Sequence, residues 1–287
     1  MPEPQNQPER GPSRQSPAPL PVPRTEAGRA GLAALLADPG RSLIGVDFDG
    51  TLAPIVPDPA AARALPAATA ALRRLRGRVG TLAVITGRPA AEAVEYAGLA
   101  DVPGIIVLGH YGRQRWSDGR LTAPPPPAGL ADARARLPGL LAAAGAPPGT
   151  RVEDKGDALA VHTRQSADPA AGLDLLRGPL AGLAAETGLV TEPGRMVIEL
   201  RPPGADKGRA LRELAAERPP SAVLFCGDDL GDRPAFAAVA QFRAEGVPGL
   251  AVCSGSAEVT ELAAEADLVV DGPPAVAALL DGLAAAF

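Results

Sequence analysis

Asp47-Phe48-Asp49-Gly50-Thr51-Leu52, entered from the apolar run Leu43-Ile44-Gly45-Val46, is the stretch of this 287-residue chain from which its architecture is most directly read. The run has the length of a buried strand, and two acids follow it at once. Residues two apart on extended chain project to the same side, so both carboxylates address one ligand while Phe48 turns into the core. Two anions this close repel unless a proton or cation lies between them. Mg²⁺ with oxygen ligands resolves that repulsion and screens an incoming phosphate from a nucleophilic carboxylate. Gly50 lets the backbone approach closely and leaves amides free for phosphate oxygens.

A bare Asp-x-Asp at a strand end also serves as turn chemistry. Three further features, arriving in order, decide for a site. Apolar runs at 82–85, 105–108, 223–226 and 250–253 read as further strands, with helical stretches at 67–76, 90–96 and 207–217. This alternation predicts an α/β fold with parallel strands and ligands at their carboxyl ends. Thr86-Gly87-Arg88 ends the second strand, where a hydroxyl and a helix start bind an anion. Lys207 opens a later helix, and Gly227-Asp228-Asp229 ends another strand with the extra carboxylate a metal between aspartates requires.

The middle of the chain departs from the alternation. After the four prolines 124–127 come an Ala/Leu helix, an alternating stretch at 151–164, a helix near 168–187 and a strand at 195–200. That order predicts a small α+β domain inserted at residues 113–202, with residues 30–112 and 203–287 forming the larger unit. Eight prolines among polar residues between positions 2 and 23 predict a disordered tail over residues 1–29.

Composition narrows the function classes. With 46% hydrophobic and 21% charged residues the chain is expected to be soluble and globular. No uncharged apolar run of about 18 residues and no secretory leader are readable, so the cytoplasm is the expected compartment. Cys226 and Cys253 sit in apolar runs at unrelated spacing and read as core residues. A net charge of −5 without basic blocks argues against nucleic acid and anionic membranes as partners. A monomer acting on a small molecule is the expectation.

The ordered features 47–52, Thr86, Lys207 and Asp228 resemble the four motifs of haloacid dehalogenase superfamily phosphatases. The resemblance implies a Rossmann-like core with an inserted cap. It also implies Asp47 as nucleophile, Asp49 as acid/base, and Thr86 and Lys207 as holders of the phosphoryl oxygens. Mg²⁺ would be held by Asp47, by Asp49 through its backbone carbonyl and by Asp228, with Asp232 behind them or joined through water.

From about residue 41 onward the chain is similar to the trehalose-6-phosphate phosphatase family. The matches are 47–55, Val152-Glu153-Asp154-Lys155, Leu159-Ala160-Val161-His162, Val197-Ile198-Glu199-Leu200-Arg201-Pro202-Pro203 and Asp206-Lys207-Gly208. This similarity implies the last step of trehalose synthesis, with glucose hydroxyls bound by Glu153, Lys155, Arg164 and Glu199. Gly87 and Arg88 are expected at the phosphate or the cap. Strand parity agrees, because Glu199 alternates against Met196, Ile198 and Leu200 and so leaves their apolar side. By the same parity His162 and Arg164 leave the apolar side of their strand, although His162 is not counted in the site.

Two segments depart from the family. Gly231-Asp232-Arg233-Pro234 stands where Thr-Asp-Glu-Asp is usual. Gly109-His110-Tyr111-Gly112 replaces Gly-x-His-Gly, leaving open whether His110 or Tyr111 meets the substrate. Alternatives are a phosphatase for sucrose phosphate or glucosylglycerol phosphate, and a catalytically silent sugar-phosphate-binding partner of a synthase.

Overall fold

Asp47 follows β1 (Ser42–Val46), an inner strand of an eight-stranded sheet in the computed structural model, which describes residues 20–194, 196–255 and 260–287. Both neighbours of β1 are parallel to it: β2 (Thr81–Ile85) on one side and β10 (Ala222–Gly227) on the other. The intervening strands are β3 (Ile106–Gly109), β4 (Gln114–Ser117), β5 (Arg120–Thr122), β6 (Arg151–Asp154), β7 (Leu159–His162), β8 (Val190–Gly194) and β9 (Val197–Arg201). Then follow β11 (Gly249–Gly255) and β12 (Leu268–Asp271). The large sheet runs β12-β11-β10-β1-β2-β3-β4-β5, parallel from β12 to β3 and antiparallel through β4 and β5.

The helices in chain order are α1 (Glu26–Ala37), α2 (Pro66–Arg76), α3 (Ala90–Ala97), α4 (Leu130–Ala143), α5 (Pro169–Glu186), α6 (Lys207–Glu217), α7 (Arg233–Ala244), α8 (Glu261–Glu265) and α9 (Gly272–Ala286). Strand residues alternate between two cores, as period-two side chains must. Ile44, Val46, Leu224 and Val252 pack with Leu72 of α2 and Leu280 of α9. Leu43, Ile85, Phe225 and Cys253 pack on the opposite face with Leu211 of α6 and Val239 of α7. Burial on both faces explains why these strands read as continuous apolar runs. Both cysteines are buried and free.

A second, antiparallel sheet runs β6-β7-β9-β8. One face, with Leu159, Val161, Ile198 and Leu200, packs on Leu137 of α4 and Leu180 of α5. The opposite face places Glu153, Ala160, Glu199 and Glu192 in one cross-strand row. α5 starts where Asp168 accepts from the Ala171 amide and Pro169 takes the first helical position.

Two boundaries differ from the sequence expectation. Residues 114–122 form the β4–β5 hairpin on β3, so they extend the large sheet where the inserted domain was expected to begin at 113. Trp116, 8% exposed, anchors them in the large core. Residues 20–29 are not a disordered stretch: Leu20 packs against the large core, the Arg24 guanidinium donates to Ala266 O at 2.9 Å, and Thr25 caps α1. The expectation for residues 1–19 lies outside the described residues. Among the described residues no helix is long and apolar enough to cross a membrane.

Candidate active site

β1 delivers Asp47 to the carboxyl edge of the sheet, where it is 4% exposed and its amide donates to Cys226 O at 2.8 Å. Lys207 arrives from the first turn of α6, which is fixed by Asp206 accepting the Arg209 amide at 2.7 Å. The ammonium lies 2.7 Å from Asp47 Oδ1 and 2.7 Å from Asp232 Oδ1. The other Asp232 oxygen accepts the amides of Asp228 and Asp229 at 2.9 and 3.2 Å. Asp232 thus anchors both the lysine and the turn after β10.

Asp47, Asp228 and Asp232 each offer an oxygen within 4.8 Å of the others. Asp228 Oδ1 is buried without a hydrogen-bond partner. The carboxylates of Asp47 and Asp228, the latter with an orphaned oxygen, fit a hard divalent cation, with Asp232, both of its oxygens engaged, behind them. Gly50, at φ 71°, makes the approach possible, since a Cβ there would lie 2.0 Å from Asp228 Oδ2. Burial pushes the Asp47 carboxyl well up, against the pull of Lys207, and Asp232 adds to the rise. Burial and then Asp47 push Asp228 well up in the same way. Positive charge among these oxygens reverses both effects.

Asp49 is not part of the carboxylate triad. Its side chain is gripped by Arg88, with Nε and one terminal nitrogen each 2.7 Å from a carboxylate oxygen. The expected contact of Asp49 with a metal runs through its backbone carbonyl, so the side chain's pairing with Arg88 does not bear on it. The Arg88 terminal nitrogen also donates to Pro59 O at 2.9 Å, and the guanidinium lies 5.3 Å from the Phe48 ring centroid. Thr86 is 1% exposed, and its hydroxyl accepts the Arg88 amide at 3.2 Å. The first amide of α3 is taken by Gln114 Oε1 at 2.9 Å.

The row on the second sheet faces this edge. Lys155 Nζ donates to Glu199 Oε2 at 3.1 Å, and the Tyr111 hydroxyl, from the large unit, donates to the same oxygen at 3.3 Å. Burial works against the Lys155 ammonium, but Glu199 and Glu153 outweigh it and hold the pKa above its ordinary value. Glu153 sits 2.9 Å from His162 Nε2, whose hydrogen bond holds the Glu153 carboxyl below its usual range. His162 therefore enters the site as the partner of Glu153. The expectation that Arg164 shares the strand face of His162 does not hold, since β7 ends at His162 and Arg164 stands exposed in the turn beyond it. Arg201, 8% exposed, stacks over Tyr111 at 4.8 Å from the ring centroid and bonds Glu192 at 2.6 Å. The only sequence signal for Tyr111 was its place in the altered hinge motif; Arg201 carried none beyond membership of a matched stretch.

A parallel α/β sheet with an aspartate at the end of an inner strand, a lysine over it and an inserted α+β unit above is the haloacid dehalogenase-like fold. Residues 45–269 match the trehalose-phosphatase family model, and the chain belongs to that family. It is similar to the trehalose-phosphate phosphatase of Mycobacterium avium, 39% identical over 216 residues that cover 70% of this chain and 52% of that protein. Its similarity to the Mycobacterium marinum trehalose-phosphate phosphatase is 33% over 258 residues, covering 85% and 62%. The chain thus spans about half to three-fifths of the length of these curated relatives. A solved trehalose-6-phosphate phosphatase related protein superimposes with a TM-score of 0.65 at 26% identity, over 83% of this chain and 95% of its own. The C-terminal domain of the Candida albicans trehalose-6-phosphate phosphatase shares the fold, with a TM-score of 0.69 at 22% identity, over 93% and 99%.

Proposed function

We propose that this chain hydrolyses trehalose 6-phosphate to trehalose and inorganic phosphate through an aspartyl-phosphate on Asp47. The observation that carries the reading is the stacking of two chemistries. A buried Asp47–Lys207 contact lies below, and a carboxylate and ammonium row of Glu153, Lys155 and Glu199 lies above it.

In the first half-reaction an Asp47 oxygen bonds to phosphorus, the bond from phosphorus to the sugar oxygen breaks, and Asp49 gives that oxygen a proton. For this the grip of Arg88 on Asp49 opens as the ester enters. In the second half-reaction Asp49 takes a proton from water, which attacks phosphorus and frees Asp47. Lys207, Thr86 and the Gly87 amide neutralise and orient the phosphoryl oxygens throughout. Asp47, Asp228 and the Asp49 carbonyl, with Asp232 supporting, would hold Mg²⁺, which would supply the positive charge for an anionic carboxylate to meet an anionic ester. Glu153, Lys155, Arg164 and Glu199 take the sugar hydroxyls, and the unit containing β6 to β9 is the cap that excludes water. The reading extends to a monomeric cytoplasmic enzyme; a net charge of −5 gives it no electrostatic draw toward nucleic acid.

Quenching the enzyme during turnover and locating the phosphoryl group by peptide mass spectrometry tests the covalent step. The label is expected on the peptide carrying Asp47. Turnover with label on no peptide, or on another residue, contradicts it.

A further inference from the structure

The hinge Gly109-His110-Tyr111-Gly112 places two consecutive non-glycine residues in the left-handed region, with φ 47° at His110 and 58° at Tyr111. Such backbone costs energy and persists only where its surroundings hold it. Here the His110 amide donates to Arg88 O at 3.0 Å and the Tyr111 amide to Thr86 O at 2.9 Å, stitching the hinge to the phosphate-binding turn. The two side chains then part. His110, 2% exposed, goes beside Asp157 and Ala158 of the β6–β7 turn. Tyr111 lies over Gly87, where a Cβ would come within 2.8 Å of the phenol oxygen.

From there the phenol reaches Glu199 Oε2 at 3.3 Å, sharing that oxygen with Lys155. Glu199 is 5% exposed, and its other oxygen, Oε1, is buried without a partner. A buried carboxylate oxygen left unpaired is costly, so this arrangement is complete only when a donor enters with a ligand. We propose that Tyr111 is a positioning residue for sugar recognition: its O–H and Lys155 fix one Glu199 oxygen, which aims the other at a substrate hydroxyl. Because the Tyr111 amide is also bonded to Thr86, that aim depends on the turn that holds the phosphate. The proposal rests on the substrate reading above and gives the altered hinge motif a purpose, with tyrosine, not His110, facing the ligand. Arg201 over the ring and the buried, neutral phenol keep the donor in place.

The test uses the full chain with saturating Mg²⁺, comparing wild type, Tyr111→Phe, Glu199→Gln and the double variant on trehalose 6-phosphate and on an aryl phosphate. Tyr111→Phe keeps the ring and its stacking. It is expected to raise KM for the sugar ester about tenfold with kcat within about twofold, the worth of one hydrogen bond to a charged group. The ratio of kcat/KM between the two esters falls accordingly. Added to Glu199→Gln, the same change is expected to do little more, because both remove one interaction. Equal losses on both esters, or fully additive losses, overturn the proposal. If Tyr111→Phe fails a thermal-unfolding check, Arg201→Lys, which removes the planar stack, must lower the same ratio or the proposal falls. Wild-type failure on trehalose 6-phosphate with release from another sugar phosphate sinks only the substrate reading, and the ratio is then measured on that ester. Absence of release from every ester overturns both.

Discussion

Lys207 is the residue on which the floor of the site balances, since one ammonium lies 2.7 Å from both Asp47 and Asp232 and holds the two acids together. Replacing it with methionine leaves two buried carboxylates facing each other, and removing one partner of a buried pair costs about 3–5 kcal/mol. Lys207→Met is therefore expected to lower the denaturation midpoint markedly as well as to abolish phosphate release. Asp47→Asn should do the opposite to stability: it removes the nucleophile but also one of three crowded acids. Turnover is expected to vanish while thermal unfolding stays at or above wild type; hydrolysis surviving in that variant contradicts the covalent mechanism. Asp47, Thr86, Lys207 and Asp228 were legible because each sits at a strand end or helix start that local pattern marks. The contact of Tyr111 with Glu199 was not, because it joins residues 88 positions apart across two units.

On the proposed reading, specificity belongs to the scale of the elements. Cross-strand register puts Glu199 in a row with Ala160 and Glu153, away from the apolar face that meets α4 and α5. Parity alone shows this face from sequence. What it cannot show is that Glu199 is buried, because the covering groups, Tyr111 among them, come from the other unit. Glu199→Ala is expected to lower kcat/KM for trehalose 6-phosphate by at least tenfold more than for an aryl phosphate, about the worth of a charged hydrogen bond. Comparable losses on the two substrates would remove Glu199 from sugar recognition. The inner strands were legible as apolar runs since both of their faces are covered. The β4–β5 hairpin was not: Gln114–Ser117 and Arg120–Thr122 lie toward the sheet edge, and of these residues only Trp116 is buried. α1 was hidden by the prolines before it, although Thr25 is a good cap for a helix start.

At the scale of the whole molecule the two units meet over a seam of polar atoms. His110 Nδ1 and Nε2, Glu199 Oε1 and Arg201 Nε are buried there without a hydrogen-bond partner, and Arg113 Nε meets Asp157 Oδ2 as an ion pair at 3.5 Å. No space large enough for a water molecule is left between them, so on the proposed reading a disaccharide reaches Glu199 only if the units separate. Burial also depresses the pKa of His110, against the pull of Asp157 and Glu199 and with a push from Lys155. The unfolded chain therefore takes up the proton first as pH falls. The folded state is penalised below the ordinary histidine value of about 6.5. Thermal stability is expected to fall between about pH 7.5 and 5.5 more steeply in wild type than in His110→Gln. Parallel curves would show that His110 is not the group responsible.

Phosphate release from trehalose, sucrose and glucose 6-phosphates, each with Mg²⁺ and with EDTA, tests chemistry and substrate together. The expected result is rapid release from trehalose 6-phosphate that EDTA abolishes, with little from the other two. Metal-dependent release that favours another ester contradicts the assigned substrate, and release unaffected by EDTA, or none at all, contradicts the mechanism built on Asp47 and its acidic neighbours.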